Sequence, residues 1–155
     1  MELKVMRAKE TWQQAGAYYV RIQAMARQYN ITLREEFDEH DGPDTKYIVI
    51  LDGDFPVAAC RLYELTGEDG GAEPAVPAMM LGRVVVLPEY RKQGLGRLAV
   101  IEAEKWAHEL GCKKAVLDSR DVAVGFYEKL GYTADYSRTV HGETFTCVYM
   151  EKILE

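Results

Sequence analysis

The chain has 155 residues, 48% of them apolar and 28% charged, with a formal net charge of -6. That is enough for one buried core and too little for a second independent domain, so a single domain over residues 1–155 is expected. An acidic balance is hostile to broad phosphate-backbone binding and argues against a nucleic-acid partner.

No apolar run approaches the roughly 18 residues needed to span a bilayer. Residues 1–5 lack the basic-then-apolar shape of a signal peptide, so a cytoplasmic protein with no membrane contact is expected. Cys60, Cys112 and Cys147 are odd in number and far apart, and His40, His108 and His141 are equally scattered. None shows the spacing of a ligand set, so no metal is expected.

Residues 3–7 alternate apolar and polar side chains, as a half-buried strand does, and Thr11 stands where a helix N-cap is wanted. Trp12, Ala15, Tyr19, Ile22 and Ala26 then recur at three- and four-residue steps, which predicts one face of a helix ending near Asn30. Residues 34–44 are acidic and close on turn residues, the pattern of a loop with one helical turn.

The β-rich runs 47–51 and 57–63 flank Asp52-Gly53-Asp54, a hairpin signal, while Gly, Pro, Ala and acid over 66–77 mark a surface loop. Residues 79–87 form a third long strand, closed by Pro88. Gly94 opens a helix with an apolar stripe of Leu95, Leu98, Ala99, Ala103, Trp106, Ala107 and Leu110, and Gly111 ends it. A strand at 115–117, a short helix over 121–130 stopped by Gly131, and a hairpin over 132–153 turning at His141-Gly142-Glu143 complete the chain. The order implies an α/β or α+β fold, a mixed sheet with helices packed on its faces.

The stretch that carries chemistry runs from Leu81 to Arg97. A glycine pair, Gly94 and Gly96, at the mouth of a helix leaves backbone N–H groups bare, lets an anion approach closely, and adds the favourable end of the helix dipole. Arg91, Lys92 and Arg97 set three cations around it in an otherwise acidic protein, which points to a phosphorylated ligand.

Two other phosphate motifs come close and fail. Gly94-Leu95-Gly96-Arg97-Leu98-Ala99 fits the GxGxxA form of a dinucleotide fingerprint, with Asp118 near the position of the ribose-binding acid. In that fold, however, the first glycine follows its strand almost at once, whereas residues 88–93 intervene here, and too little chain follows Asp118 to complete the nucleotide-binding half. A P-loop would need a Lys-Ser/Thr pair after the glycines, which is absent.

These residues resemble the GNAT superfamily of N-acetyltransferases. Its strand followed by R/Q-x-x-G-x-G/A at the start of a long helix is matched by Arg91-Lys92-Gln93-Gly94-Leu95-Gly96, and its Phe-Tyr-x-x-x-Gly-Tyr/Phe helix by Phe126-Tyr127-Glu128-Lys129-Leu130-Gly131-Tyr132. The acidic Glu36-Phe37-Asp38 segment is similar to a bacterial branch of the same superfamily.

The resemblance implies a mostly antiparallel central sheet of about seven strands with helices on both faces, and acetyl-CoA as co-substrate. It places the pantetheine arm along Val84, Val85 and Val86, the pyrophosphate on the N–H groups of Gln93, Gly94, Leu95, Gly96 and Arg97 near Arg91 and Lys92, and Arg120 and Phe126 among the cofactor contacts. Arg120 stands where many members carry asparagine. Tyr127 matches the tyrosine that protonates the leaving thiolate, and a phenol with an ordinary pKa of about 10 can serve as that acid.

The acceptor implied is an amine of a small molecule or peptide. Such an amine arrives protonated and needs a base, for which Glu36, Asp38 and Glu64 are the candidates. The acidic stretch 35–44 would also attract a cationic acceptor. The alternative is a non-catalytic module that only binds CoA. Exposed edge strands in this architecture would allow a homodimer.

Overall fold

The computed structural model describes residues 1–65 and 76–155, so the loop read at 66–77 lies almost wholly outside the described residues. Seven strands form one sheet, β1 (Leu3–Arg7), β2 (Lys46–Asp52), β3 (Phe55–Glu64), β4 (Ala78–Val86), β5 (Lys114–Arg120), β6 (Thr133–His141) and β7 (Thr146–Ile153). Their order is β1-β2-β3-β4-β5-β7-β6. β4 and β5 pair in parallel, and β1–β2, β2–β3, β5–β7 and β6–β7 pair antiparallel. The chain separates into two compact units, Met1–Tyr63 with Arg83–Lys105, and Glu64–Gly82 with Trp106–Glu155.

In the first unit β2 is an unbroken apolar run, and Tyr47 to Leu51 are buried without alternation, as in a strand covered on both faces. Gly53 turns the β2–β3 hairpin at φ +63°, the left-handed position a two-residue turn requires. The helix α1 (Thr11–Arg21) runs on as a π-helix over Ile22–Arg27 and stops at left-handed Asn30.

Two details differ from the sequence reading. Glu10, not Thr11, caps α1, through a capping box in which the Gln13 side chain accepts from the Glu10 N–H at 2.9 Å. The buried face of α1 is Gln13, Ala17, Val20 and Arg21, while Trp12 and Tyr19 stay exposed. The polar members of that face disguise it: Gln13 serves the cap and Arg21 an ion network, leaving two amphipathic aromatics to mimic the apolar stripe.

The second unit holds the start of β4 against β5, pairing Ala78 with Lys114 through Leu81 with Leu117. β5 runs longer than its apolar signal because Asp118, Ser119 and Arg120 continue the ladder against Tyr149, Val148 and Cys147 of β7. α3 (Leu95–Glu109) ends in this unit: the Gly111 N–H donates to His108 O and the Cys112 N–H to Ala107 O, both at 3.0 Å, the paired bonds of a glycine-terminated helix. α4 (Val124–Lys129) is a single short helix that follows a turn of 3-10 helix. No described helix is long and apolar enough to cross a membrane.

Gly16 brings α1 close to β2 and β3. A Cβ built there would lie 3.2 Å from Pro56 Cβ and 3.5 Å from Val49 Cγ2. Gly16→Leu should therefore overpack this contact and lower stability by about 1–3 kcal/mol, read as a drop in urea midpoint with an unchanged slope.

Candidate active site

The first unit carries the glycine loop. After β4 the chain makes one 3-10 turn, Pro88–Tyr90, pinned by the Tyr90 hydroxyl donating to Asp52 Oδ2 at 2.9 Å. Lys92 (φ +64°) and Gly94 (φ +81°) then both take left-handed conformations. Turns built on left-handed residues can gather backbone N–H groups into an anion-receiving concavity.

The loop opens directly into α3, whose Leu98 N–H bonds Gly94 O at 3.1 Å, so the N–H groups of the first helical turn have no intrahelical acceptor. Leu95 is buried and anchors the helix mouth, while Arg91, Lys92, Gln93, Gly94 and Arg97 are exposed. A Cβ at Gly94 would meet nothing within 4 Å, so the cradle is open, and its demand for glycine comes from the backbone angle alone. Arg91 braces the approach, donating from Nε to Val86 O at 3.1 Å and from Nη2 to Gln28 Oε1 at 2.7 Å. The residues present thus suit a diphosphate.

The acidic segment is the loop with one helical turn that its sequence suggests, and three of its carboxylates are engaged by arginines. Thr32 caps the single turn α2 (Leu33–Glu36), and the chain then folds its carboxylates inward. Glu36 Oε2 accepts from Arg21 Nε at 2.9 Å and lies 3.2 Å from Arg83 Nε. Asp38 meets Arg61 Nη1 at 2.8 Å and Arg83 Nη2 at 3.3 Å. Asp41, which sequence reasoning did not single out, meets Arg21 Nη1 at 2.6 Å and Arg61 Nη1 at 3.1 Å and accepts from the Tyr47 hydroxyl at 2.8 Å.

Three guanidiniums therefore face three carboxylates, and the side chain of Arg21 is 0% exposed. Burial pulls against charge on Arg21 and Asp41, but their mutual hydrogen bonds win, raising the Arg21 pKa and holding the Asp41 carboxyl well below its usual range. The Tyr47 hydroxyl is pushed up by burial and by its bonds to Tyr18 and Asp41. Because arginines of α1, β3 and β4 cancel these carboxylates, the segment does not offer Glu36, Asp38 and Asp41 as a free negative field for a cationic acceptor.

Arg83 also interrupts β4. Its φ is +48°, a conformation that costs an ordinary L-residue about 1–2 kcal/mol. Its Nε donates to Glu36 O at 3.2 Å. Val84, Val85 and Val86 follow at once, with Val85 buried.

In the second unit Tyr127 is 9% exposed on α4, packed edge-to-face with Phe126 at 4.9 Å and Tyr132 at 5.8 Å. The Tyr132 N–H returns to Tyr127 O at 3.1 Å, so the Gly131 turn that ends the motif also fixes the helix carrying its tyrosine. Arg120 lies over the Phe145 ring at 4.2 Å. Glu64, at the end of β3, is exposed and takes no part in the ion network. Desolvation raises the pKa of Asp118 on β5, against the opposing charge of Arg138. Among the described residues no cluster of His, Cys, Asp and Glu is arranged to hold a metal.

A strand with a left-handed residue leading to an exposed glycine loop at a helix mouth, in a mixed sheet, suits a transferase that takes a phosphorylated cofactor such as an acyl-CoA. Comparison with known proteins makes this specific: the sequence profile of the Acetyltransferase (GNAT) family matches residues 8–132, and the chain belongs to that family. It is 32% identical over 130 residues to the uncharacterized N-acetyltransferase YjcF of Bacillus subtilis (strain 168), covering 84% of this chain and 85% of that one. A probable glucosamine 6-phosphate N-acetyltransferase of Drosophila melanogaster is 49% identical over 51 residues, 33% of this chain and 23% of that one.

The fold matches a crystal structure from Lactobacillus plantarum with TM-score 0.86 at 26% identity over 100% of both chains. It also matches the PaiA N-acetyltransferase of Thermoplasma acidophilum, solved in complex with coenzyme A, with TM-score 0.67 at 16% identity over 99% of both chains. The chain is thus an acyl-CoA-dependent N-acetyltransferase by family, and the resemblance read from two motifs is borne out in family and fold.

The ion network sets a pH dependence. Asp41 has a folded pKa below its ordinary 3.8, so its contribution to stability is full above that value and is lost as pH falls through the lower folded value. Asp41→Asn should destabilise the protein at neutral pH and flatten the fall in stability between about pH 5 and pH 2, measured by urea unfolding at several pH values.

Proposed function

We propose that the protein transfers the acetyl group of acetyl-CoA to the primary amine of a small molecule or peptide by direct attack in a ternary complex. The observation that carries this reading is the open, doubly left-handed loop at the mouth of α3, flanked by Arg91, Lys92 and Arg97. Backbone N–H groups of Gln93, Gly94, Leu95, Gly96 and Arg97 receive the pyrophosphate, aided by the helix dipole. In this reading the backbone of Val84, Val85 and Val86 pairs with the amides of the pantetheine arm as an added strand would.

Acetyl-CoA supplies the thioester. The amine nitrogen forms the new C–N bond as the C–S bond breaks, and Tyr127 gives its phenolic proton to the departing sulfur. The proton of the amine must leave separately. Glu36 and Asp38 each hold two arginines. Glu64, exposed and outside that network, is the one of the three candidate carboxylates left open to take it. No metal is needed for this chemistry, and the reading places one domain over the whole chain, acting on a small partner in the cytoplasm.

Thermal unfolding tests the cofactor. Acetyl-CoA at about 100 times its dissociation constant should add about 2.7 kcal/mol to the folded state, and release of free thiol should require an amine. Gly94→Val together with Gly96→Val should abolish the stabilisation, because valine resists φ +81° at residue 94 and side chains would intrude where phosphate must approach. Binding with no thiol release across a broad amine panel would instead support a module that only binds CoA.

Tyr127→Phe should lower kcat by about 10²–10⁴-fold, the usual loss when a general acid is removed, and leave the acetyl-CoA thermal shift in place. An unchanged kcat would remove Tyr127 from the mechanism.

A further inference from the structure

Arg83 occupies a left-handed position inside a strand although its neighbour is a glycine. Gly82 has no left-handed φ, and a Cβ there would meet nothing within 4 Å. The residue able to adopt the conformation freely therefore sits one place away from where it is adopted, and a bulky side chain bears the strain.

That side chain is tied down. Arg83 Nε lies 3.2 Å from both the carbonyl oxygen and Oε2 of Glu36, and Nη2 lies 3.3 Å from Asp38 Oδ2. The two acids are held in turn by Arg21 of α1 and Arg61 of β3. The anchor reaches elements 45 to 47 positions away in sequence, so it does not follow the strand if the strand straightens. A long cation fixed at its far end and a disfavoured backbone angle at its near end are two ends of one constraint.

We propose that Arg83 is a positioning residue for the cofactor strand: its side chain, clamped on Glu36 and Asp38, holds residue 83 left-handed and so sets the direction of the Val84, Val85 and Val86 backbone. The consequence for acetyl-CoA rests on the function proposed above; the consequence for the strand does not. Without the clamp an L-residue at 83 relaxes toward extended geometry, and the backbone edge that follows turns out of place. Glycine at 83 would lack the clamp as well, yet it adopts the left-handed angle at no steric cost.

Three variants separate this from a plain structural role. Arg83→Ala should raise the KM for acetyl-CoA about tenfold, matching the left-handed penalty it leaves uncompensated, with kcat at saturation little changed. Arg83→Gly should recover most of that loss, and Arg83→Lys part of it.

Hydrogen exchange of the Val84, Val85 and Val86 amides, followed without ligand by NMR, should be about tenfold faster in Arg83→Ala than in the wild type or Arg83→Gly. If glycine is as impaired as alanine in both readouts, the guanidinium acts in its own right and the proposal is wrong. Wild-type exchange and KM in Arg83→Ala would overturn it too. Failure of the wild type to bind acetyl-CoA would sink the proposed function, while the exchange comparison would still decide the clamp.

Discussion

A fully buried arginine organises the first unit. Arg21 has no exposed surface, and every donor it directs at an acid is answered: Glu36 at 2.9 Å on one side, Asp41 at 2.6 Å on the other, and Glu36 O at 2.8 Å from Nη2. Its guanidinium also lies 4.2 Å from the Phe37 ring centroid. Desolvating a guanidinium is expensive and is offset only when geometry is close to complete. This arrangement trades stability that apolar packing could have supplied for a unique placement of the segment from α2 to β2. A hydrophobic side chain at residue 21 could fill the space, but it could not fix which carboxylate faces which arginine.

The network fixes backbone as well as side chains. Asp41 accepts from the Asp38 N–H at 3.0 Å, and Asp38 from the His40 N–H at 2.9 Å, so the carboxylates that hold arginines also cap the turns of their own loop. A loop with so few regular hydrogen bonds would otherwise be free to move. Through Arg83 the same charges reach β4, where they meet the first of two backbone irregularities that flank the glycine loop. The second lies at Lys92 and Gly94. Left-handed residues thus bracket the segment between the strand and the helix mouth, Arg83 at one end and Lys92 and Gly94 at the other.

What could be read from the sequence depended on distance along the chain. The glycine loop and the Phe126 to Tyr132 segment are contiguous, and each encodes its geometry locally, through Gly94 at φ +81° and Gly131 at φ +99°. The same is true of the hairpin at Gly53. The ion network is hidden because its pairs lie 15, 20, 23, 45 and 47 residues apart, and an acidic run looks solvated until its counter-charges are located. The face of α1 was misread for a related cause: a buried Gln13 and a buried Arg21 break the apolar stripe, and only tertiary contacts reveal why they are inside. The false dinucleotide signal has a structural basis too. β4, α3 and β5 form a parallel strand–helix–strand unit, with its glycine loop at the helix mouth, set in a sheet whose other recorded pairings are antiparallel.

Neutrality of the buried charges bears on how an acceptor can be chosen. Had Glu36, Asp38 and Asp41 been unpaired, a cationic amine would have been drawn in by field alone, and selection would have been weak and strongly dependent on salt. With three arginines opposite them, the charge of these three carboxylates is offset, while Glu35, Glu39 and Asp44 of the same segment remain exposed. The members of the network that still reach solvent are Arg83, with its side chain 29% exposed, and Asp38, at 26%. They are bonded to each other, so each presents a dipolar edge rather than a bare charge. Such an edge discriminates by the directions of hydrogen bonds, which demand a defined placement of the partner. Under the function proposed above, an acceptor meeting this edge would be selected by hydrogen-bond geometry as well as by charge.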